Sequence, residues 1–267
     1  MLHQEFAPPQ PLREVIKCFW YNRREGAQQP YSFEVLPDGY AEIVFCFGGV
    51  SRDGVGLPSP FMMGLLNQPV TFTAIGRLEI LGVRCYPWTV FDLLGLPSGR
   101  HGVHAFEHPM AQLQAPLAAC VQAGEVDAAV ALLAQYFLQA RSQLALDSML
   151  FRAGEAMRAA RGAMPVSEVA AAAHATVRTL ERKFKQSSGH TVKDVSGLMR
   201  FEQVRNRLWH APQSNLAALA QELGYTDQSH LSREFKRYSG ATPAAFARRA
   251  RETSKDFVAF VQAPRGD

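Results

Sequence analysis

The stretch DQSHLSREFKRYSG, residues 227–240, concentrates side chains that can bind nucleic acid. If it forms a helix, Leu231 and Phe235 at i and i+4 make one apolar seam. The other side then presents hydrogen-bond donors and positive charge from Ser229, His230, Arg233 and Lys236. Such a face suits the major groove of DNA, where Arg bonds bidentately to guanine and Lys contacts phosphate. The alternative is an ordinary amphipathic helix with a solvated basic face.

The residues around that helix predict a helix-turn-helix over residues 215–240. Apolar residues at helical spacing precede the helix, namely Leu216, Leu219, Ala220 and Leu223. Gly224 follows them, where the end of a helix often needs a positive φ angle. Asp227 supplies an N-cap for the second helix of the unit.

A second copy of this pattern lies upstream, over residues 166–189. Its motif Leu-x-x-x-Phe-Lys, followed by Gly-x-Thr, recurs at an offset of 51 residues. The aligned pairs are Arg178 with Ser229, Thr179 with His230, Arg182 with Arg233, and Lys185 with Lys236. Ala170 matches Ala220 at an offset of 50, so the second copy has one extra residue in its turn. Two copies favour nucleic-acid binding over the solvated-face interpretation.

Residues 192–210 connect the copies as one predicted helix of about 18 residues, which spans about 27 Å. Successive major-groove segments on one side of DNA lie about 34 Å apart. A helix of that length lets both units enter adjacent segments on an asymmetric site of roughly 17–20 base pairs. Arg200 and Arg205 on this helix either contact phosphate or form ion pairs with Glu202 or Asp194.

The sequence LGYTDQSHLSREFKRYSGATPAAFARR, residues 223–249, closely resembles the signature of AraC/XylS-type transcription regulators. The resemblance extends over about residues 155–251, because both copies and the linker helix match. It implies a DNA-binding regulator with two helix-turn-helix units, and RNA polymerase is an expected further partner. Members of the family usually carry Gly in the first turn, where this chain has His174, so that turn is expected to be strained.

The resemblance also implies which side chains contact double-stranded DNA. In the first copy they are Arg178, Thr179, Arg182 and Lys183, and in the second Ser229, His230, Arg233 and Lys236. Arg182 and Arg233 are the best candidates for reading bases, with contact to phosphate alone as the alternative. Lys183, Lys185 and Lys236 are expected to contact phosphate.

Charge is distributed unevenly along the chain, whose formal net charge is +4. Residues 1–147 have 9 Lys and Arg against 13 Asp and Glu, whereas residues 148–253 have 17 against 9. An acidic front and a basic rear indicate that only the rear meets a polyanion. We therefore predict an α+β protein with a β-rich effector or dimerisation domain (1–146), an all-α DNA-binding domain (147–253) and a tail (254–267).

The front half predicts a small barrel or sandwich of short strands. Residues 12–21 form a short helix or an extended entry. We expect a β-hairpin over residues 31–47 around Pro37-Asp38-Gly39, a loop over 48–60, and strands at 61–66, 69–75 and 78–86. Helices are expected at 89–96, 110–123, 127–145 and 148–161. The helix at 127–145 either closes the first domain or packs against its copy in a homodimer.

The segments LPDGYAEIVF, GLLNQP and LGVRCYPW resemble, more distantly, parts of the sensor domains attached to some members of the same family. That resemblance implies a β-rich effector domain, in which we expect a small molecule to bind. Candidate pocket residues are Phe45, Phe47, Met62, Phe72 and Trp88, with Arg84 as a charged anchor. The alternatives are a packed core with Arg84 in a buried ion pair, a protein-interaction module without ligand, or a DNA-repair-like enzyme adaptor.

Other chemistries find little support in the sequence. The four cysteines show no metal-ligand spacing, and His101, His104 and His108 are expected to be ordinary loop histidines rather than metal ligands. No catalytic motif occurs, so we predict neither an enzyme nor a cofactor. The N-terminus lacks the pattern of a signal peptide, and no apolar run is long enough to span a membrane, which predicts a cytoplasmic protein.

Overall fold

The computed structural model describes residues 2–26, 28–96, 102–105, 108–142 and 147–252. They form two compact units, which are described separately. The N-terminal unit contains the described parts of residues 1–33, 40–65 and 71–146, and the C-terminal unit contains those of 34–39, 66–70 and 147–267. Nothing in the sequence reveals that two short front segments group with the C-terminal unit.

The described part of the front half forms two antiparallel sheets. The strands are β1 Leu2–Phe6, β2 Ile16–Arg24, β3 Tyr31–Val35, β4 Ala41–Phe47, β5 Val50–Arg52, β6 Val55–Gly56, β7 Phe61–Met63, β8 Val70–Ala74, β9 Leu78–Cys85 and β10 Val103–Ala105. The larger sheet has the order β1-β2-β9-β4-β7-β10, and the smaller has the order β3-β8-β5-β6. The predicted α+β class, with a β-rich front and an all-α rear, is confirmed, although the sheets do not close into a barrel.

Strand β9 lies in the middle of the larger sheet, between β2 and β4, and every residue of its sequence LEILGVRC is buried. On one face, its side chains Leu81 and Val83 join the main hydrophobic core. On the other face, Gly82 stands opposite Trp20 in the register with β2. A Cβ at this position would collide with the indole ring, so the glycine makes room for the tryptophan.

Three helices of the front half bury their apolar side chains in the same core as β9. They are α1 Val90–Leu94, α2 Gln114–Ala123 and α3 Val126–Ser142. On α3, Leu133 and Phe137 recur at i and i+4 and are fully buried. This buried stripe supports the simpler role for the predicted helix 127–145, which is to close its own unit; residues 143–146 lie outside the described residues.

Two predictions for the front half are wrong. Residues 31–47 do not form a hairpin, because β3 belongs to the smaller sheet and β4 to the larger. The first six residues of β4 are all buried, and the strand takes an interior place between β9 and β7 that leaves no edge for β3. The predicted loop at 48–60 contains the short pair β5 and β6, joined by Asp53 and Gly54 with φ angles of 52° and 79°. Asp-Gly is a hairpin signal, because both residues readily take the positive φ angles of a tight two-residue turn.

The C-terminal unit is helical, and its helices follow the sequence pattern closely. They are α4 Ser148–Ala159, α5 Val166–Ala172, α6 Val177–Ser188, α7 Val192–His210, α8 Leu216–Glu222, α9 Gln228–Ser239 and α10 Pro243–Glu252. The linker helix α7 begins at a capping box between Thr191 and Asp194. It packs against α6, α9 and α10. No described helix combines the length and hydropathy that crossing a membrane would need.

Replacing Phe137 by Ala tests the assignment of α3 to the core of the N-terminal unit. The ring is fully buried and lies 6.4 Å from the ring of Phe19, so we expect the free energy of unfolding to fall by about 3–5 kcal/mol. Urea denaturation followed by circular dichroism measures the change. Gln135→Ala, on the exposed side of the same helix, is the control and should change stability by less than about 0.5 kcal/mol. Equal effects of the two substitutions would contradict the burial of Phe137 in the core of the N-terminal unit.

Candidate nucleic-acid interface

Helices α6 and α9, which we name the recognition helices, each begin at a capped residue after a tight turn. The Oγ1 atom of Thr176 accepts a hydrogen bond from the amide of Thr179 at 3.2 Å at the start of α6. The Oδ1 atom of Asp227 accepts one from the amide of His230 at 2.7 Å at the start of α9. These bonds satisfy amides that have no partner within the helix. The pairs α5–α6 and α8–α9 are therefore two helix-turn-helix units.

The two recognition helices also end alike. Ser188 Oγ donates to the carbonyl of Phe184 at 2.7 Å, and Ser239 Oγ donates to the carbonyl of Phe235 at 2.8 Å. Each serine oxygen also accepts a hydrogen bond from the amide two residues later, at 3.1 Å and 3.2 Å respectively. A left-handed glycine follows each serine. The repeat in the sequence is thus a repeat of hydrogen-bond geometry as well.

The turns of the two units differ at one backbone position. His174 takes a φ angle of 53° in the first turn, and Gly224 takes 71° in the second. A residue other than glycine pays about 1–3 kcal/mol for this conformation. A side chain at Gly224 would also be crowded, because a Cβ there would lie 3.1 Å from the Cβ of Ala163. The strain predicted for the first turn is therefore seen in its backbone.

On the first recognition helix, three cationic side chains form one exposed row. Arg178, Arg182 and Lys185 are exposed and lie at i, i+4 and i+7, which is one face of a helix. Thr179 is half-buried, and its hydroxyl oxygen accepts a hydrogen bond from Thr176 Oγ1 at 2.9 Å. The row can meet a polyanion, whereas Thr179 contributes to the cap of the helix.

The second recognition helix presents the matching row. Ser229, Arg233 and Lys236 are exposed at the same i, i+4 and i+7 positions. His230 is half-buried instead, with its ring edge-on to the ring of Tyr225 at a centroid distance of 5.4 Å. This contact ties the start of α9 to the preceding turn, so His230 has a structural role in addition to its predicted contact with DNA.

Arg237 is an exposed cation on α9 that sequence reasoning missed. It lies at i+8 from Ser229, on the same face, and its guanidinium carbon is 5.3 Å from the ring centroid of Tyr238. The signal was present in the sequence, because Arg237 extends the helical row by one step. Its counterpart in the repeat is the uncharged Gln186, which concealed it from the comparison of the two copies.

Residues 169–249 match a family model described as a helix-turn-helix domain. The match includes both recognition helices and the linker helix between them. Residues 169–249 of this chain are an AraC-type helix-turn-helix domain. Residues 4–101 match a second model, described as a domain of unknown function (DUF6597).

Solved structures of regulators are similar to the chain at low sequence identity. ToxT from Vibrio cholerae is 11% identical, with 86% of this chain and 97% of that chain covered and a TM-score of 0.46. The DNA-binding domain of AdpA in complex with a target DNA is 22% identical, with coverage of 40% and 96% and a TM-score of 0.36. The C-terminal domain of AraT, a response regulator from Geobacillus stearothermophilus, is 21% identical, with coverage of 40% and 88% and a TM-score of 0.37. No curated protein matches the chain.

Within the AraC-type domain, Lys183 lies beside the exposed row of α6 rather than in it. Its Nζ atom donates to Asp147 Oδ2 at 2.6 Å, and Asp147 is the N-cap of α4. Burial by itself raises the pKa of Asp147, but the bonds from Lys183 and from the amides of Met149 and Leu150 outweigh burial and lower that pKa below its ordinary value. Lys183 therefore attaches the first recognition helix to α4, which is a different task from the predicted contact with phosphate.

The two arginines of the linker helix form ion pairs inside the AraC-type domain. Arg205 is buried, and its Nη2 atom lies 3.7 Å from Oε1 of Glu202. Glu202 is one of the two partners considered from the sequence. Arg200 pairs with Glu234 of the second recognition helix at 3.2 Å, a partner that the sequence did not suggest. Both contacts match the ion-pair interpretation of these residues.

The candidate effector residues of the N-terminal unit separate into two groups. Phe45, Phe47 and Met62 lie in or against the core that the helices cover. Phe72 lies on the smaller sheet, with its ring centroid 6.1 Å from that of Phe61 on the larger sheet. The structure therefore does not bring the apolar candidates to one surface.

The two remaining candidates contact other side chains of the N-terminal unit. Arg84 is buried and donates to Glu42 Oε1 from Nε at 2.8 Å and from Nη2 at 2.6 Å. Trp88 is also buried and stacks on Tyr86 at a centroid distance of 5.1 Å. Arg84 thus matches the buried ion-pair alternative in this structure.

Among the described residues, no group of three or more His, Cys, Asp and Glu side chains could hold a metal ion. His108 caps a short 3₁₀ helix by accepting from the amide of Met110 at 3.2 Å, and its Nε2 lies 3.0 Å from the carbonyl oxygen of Leu94. His104 is in β10, and His101 lies outside the described residues.

Replacing Lys183 by Met tests the attachment of α6 to α4. We expect the stability of the C-terminal unit to fall by about 0.5–1 kcal/mol at neutral pH, since the pair is partly exposed. The pKa of Asp147 is lowered on folding, so the contribution of the pair is complete above the ordinary pKa of 3.8 and is lost as the pH falls through the folded value. The difference between wild type and variant should therefore shrink towards acidic pH.

Thermal unfolding at a series of pH values measures this difference. Lys185→Met removes the same charge from the exposed row of the same helix and should show no such dependence on pH. A destabilisation by Lys183→Met that stays constant down to about pH 3 would contradict the assignment to Asp147.

Proposed function

We propose that this protein is a sequence-specific DNA-binding transcription regulator of the AraC type. The observation that carries the proposal is the second copy of a capped recognition helix with an exposed cationic row in the same positions. A single basic helix is common on protein surfaces, whereas a duplicated one with matched caps on a connecting helix is a DNA-reading arrangement.

The proposed roles follow from exposure and side-chain chemistry. Arg182 and Arg233, at the centre of each row, read base edges, because the guanidinium fork bonds bidentately to guanine. Lys185, Lys236 and Arg237 contact phosphate and position the helices. The remaining proposed contacts at the starts of the two helices are Arg178, Thr179, Ser229 and His230.

Arg233→Ala should weaken binding to a preferred site at least as much as Arg182→Ala, because the second unit has an unstrained glycine in its turn. We expect each loss to correspond to about 1–3 kcal/mol, or roughly 5- to 150-fold in Kd, at a fixed salt concentration. Electrophoretic mobility shifts measure Kd for both variants on a duplex that the wild-type protein selects from randomised DNA.

Arg52→Ala is the matched control, since Arg52 is a partly exposed arginine of the N-terminal unit. It should leave Kd unchanged. A markedly greater loss from Arg182→Ala than from Arg233→Ala would reverse the proposed ranking. Failure of the wild-type protein to select any sequence would sink the proposed function.

We also propose that a small molecule with an anionic group regulates the protein through its N-terminal unit. The buried pair of Arg84 and Glu42 supports this, since burying two charges costs desolvation energy that an apolar pair avoids. Arg84 stands on the face of β9 that is opposite the helix-covered core, and the ring centroid of Tyr40 lies 5.3 Å from its guanidinium carbon. A carboxylate ligand can replace Glu42 as the partner of this guanidinium.

A thermal-shift screen with carboxylic-acid metabolites tests this part of the proposal. A ligand that binds only the folded state raises the Tm of the wild type, and we expect no such rise for Arg84→Met. Arg77→Met, at a half-exposed arginine of the same unit, should behave like wild type. A shift that survives in Arg84→Met would exclude Arg84 as the anchor, and a panel without any shift would favour a protein-interaction module.

A DNA-repair-like adaptor has weaker support. Such an enzyme needs a reactive thiolate, which proteins produce by lowering the pKa of a cysteine. Burial instead raises the pKa of Cys18 and of Cys46 to about 12, so both are thiols at neutral pH. These two cysteines resemble small apolar core residues in their environment.

A further inference from the structure

We propose that residues 147–163, which comprise α4 with its cap and the turn after it, act as a brace that fixes the separation of the two recognition helices. Arg200 is the positioning residue that couples the second helix to this brace. The inference rests on the DNA-binding function proposed above and adds to it a determinant of half-site spacing. All the contacts involved lie within the C-terminal unit.

The brace is attached to the first helix-turn-helix unit at two points. At its start, Asp147 accepts the hydrogen bond from Lys183 on α6 at 2.6 Å. One turn later, Nη2 of Arg152 donates to the carbonyl of Ala173, in the turn between α5 and α6, at 3.4 Å. These contacts hold both the turn and the recognition helix of the first unit against α4.

The other end of the brace is attached to the linker helix and to the second unit. The carbonyl of Gly162 accepts a hydrogen bond from Nη1 of Arg200 at 3.0 Å. Gly162 has a φ angle of 78°, and a Cβ there would lie 2.9 Å from the Cβ of Met199, so glycine is required by backbone and by space. The next residue, Ala163, faces Gly224 in the turn of the second unit.

Arg200 completes the connection by holding the second recognition helix. Its Nη2 lies 3.2 Å and 3.3 Å from the two carboxylate oxygens of Glu234 on α9. The side chains of Arg200 and Glu234 are only 14% and 15% exposed, so the pair is shielded from salt far more than a surface pair. The guanidinium carbon also lies 5.0 Å from the ring centroid of Tyr225 in the turn before α9. One guanidinium thus joins the brace, the turn and the helix.

The two attachments use the same position of the repeat. Lys183 and Glu234 are 51 residues apart, the offset that aligns the two recognition helices. In each helix this position faces the scaffold, next to the exposed row that faces outward. The charges are opposite, so the correspondence is invisible in a comparison of residue types. The brace therefore holds each helix by its inner side and leaves its outer side free.

A fixed separation makes binding sensitive to the spacing of the half-sites. Each inserted base pair moves one half-site by about 3.4 Å and rotates it by about 35° around the DNA axis. Two helices held by the brace cannot follow that displacement together. If Arg200 no longer couples the second recognition helix to the brace, that helix can move and follow part of the displacement of its half-site.

The experiment compares binding to duplexes that differ only in spacing. The site is one that the wild-type protein selects from randomised DNA, together with versions that have one or two base pairs inserted between its half-sites. Fluorescence anisotropy gives Kd for wild type, for Arg200→Met and for Arg207→Met. Arg207 is the control, because it lies on the same linker helix in an exposed pair with Glu222 at 2.8 Å.

For wild type and Arg207→Met, we expect one inserted base pair to weaken binding about ten-fold or more, as for the loss of a specific contact. For Arg200→Met we expect the inserted base pair to weaken binding by less than about three-fold. We also expect this variant to bind the original site more weakly than wild type does. The decisive readout is the ratio of Kd for the duplex with one inserted base pair to Kd for the original duplex. A general loss of folded protein affects both duplexes equally and leaves this ratio unchanged. Glu234→Gln keeps the shape of the side chain, removes the same ion pair and should relax the spacing in the same direction.

An unchanged ratio in Arg200→Met and in Glu234→Gln would overturn the inference, and if Arg200→Met does not fold, Glu234→Gln decides alone. The proposed function fails in a different way, which is that the wild-type protein selects no preferred sequence. A wild-type protein that binds its selected site tightly but tolerates every insertion would refute the brace while leaving the DNA-binding function intact.

Discussion

Phe201 of the linker helix packs against Phe235 of the second recognition helix, and this apolar contact sets which side of that helix is free. The two ring centroids are 5.0 Å apart, and neither ring is more than 1% exposed. Burying a side chain of this size contributes about 1.5–3 kcal/mol, more than a typical single hydrogen bond. Because Leu231, Phe235 and Tyr238 point inward, the helical period places Ser229, Arg233 and Lys236 outward. The exposed row that we propose faces DNA is thus a consequence of core packing.

The same packing divides the cations of the AraC-type domain into two classes. A charge held on the inner side of a helix needs a partner, because an unpaired buried charge is costly. Arg200 and Arg205 lie on such sides and pair with Glu234 and Glu202, and the partly exposed Lys183 pairs with Asp147. Arg182, Arg233 and Lys236 lie on the outer sides, where solvent or phosphate can serve as partner. The basic character of the domain therefore has two origins, one structural and one available for DNA.

The helical half could be predicted well from sequence because its signals are local. The caps Asp227 and Thr191, the apolar seam of α9 and the repeated Gly-x-Thr motif each act within a few residues, and the linker helix has its predicted limits. The ion pairs that connect the helices could not be predicted, since Lys183 and Asp147 are 36 residues apart and many carboxylates were equally available. Sheet pairing failed for a similar reason. Strands β3 and β4 are adjacent in sequence, but the burial of both faces of β4 places it inside the other sheet.

The central claim is that one polypeptide reads DNA with two helices held on the same side of the duplex. Hydroxyl-radical footprinting of the wild-type protein on a site selected from randomised DNA tests it most directly. The account predicts two protected stretches on one face of the duplex, with their centres about 10–10.5 base pairs apart. A single protected stretch, or two stretches on opposite faces, would contradict it.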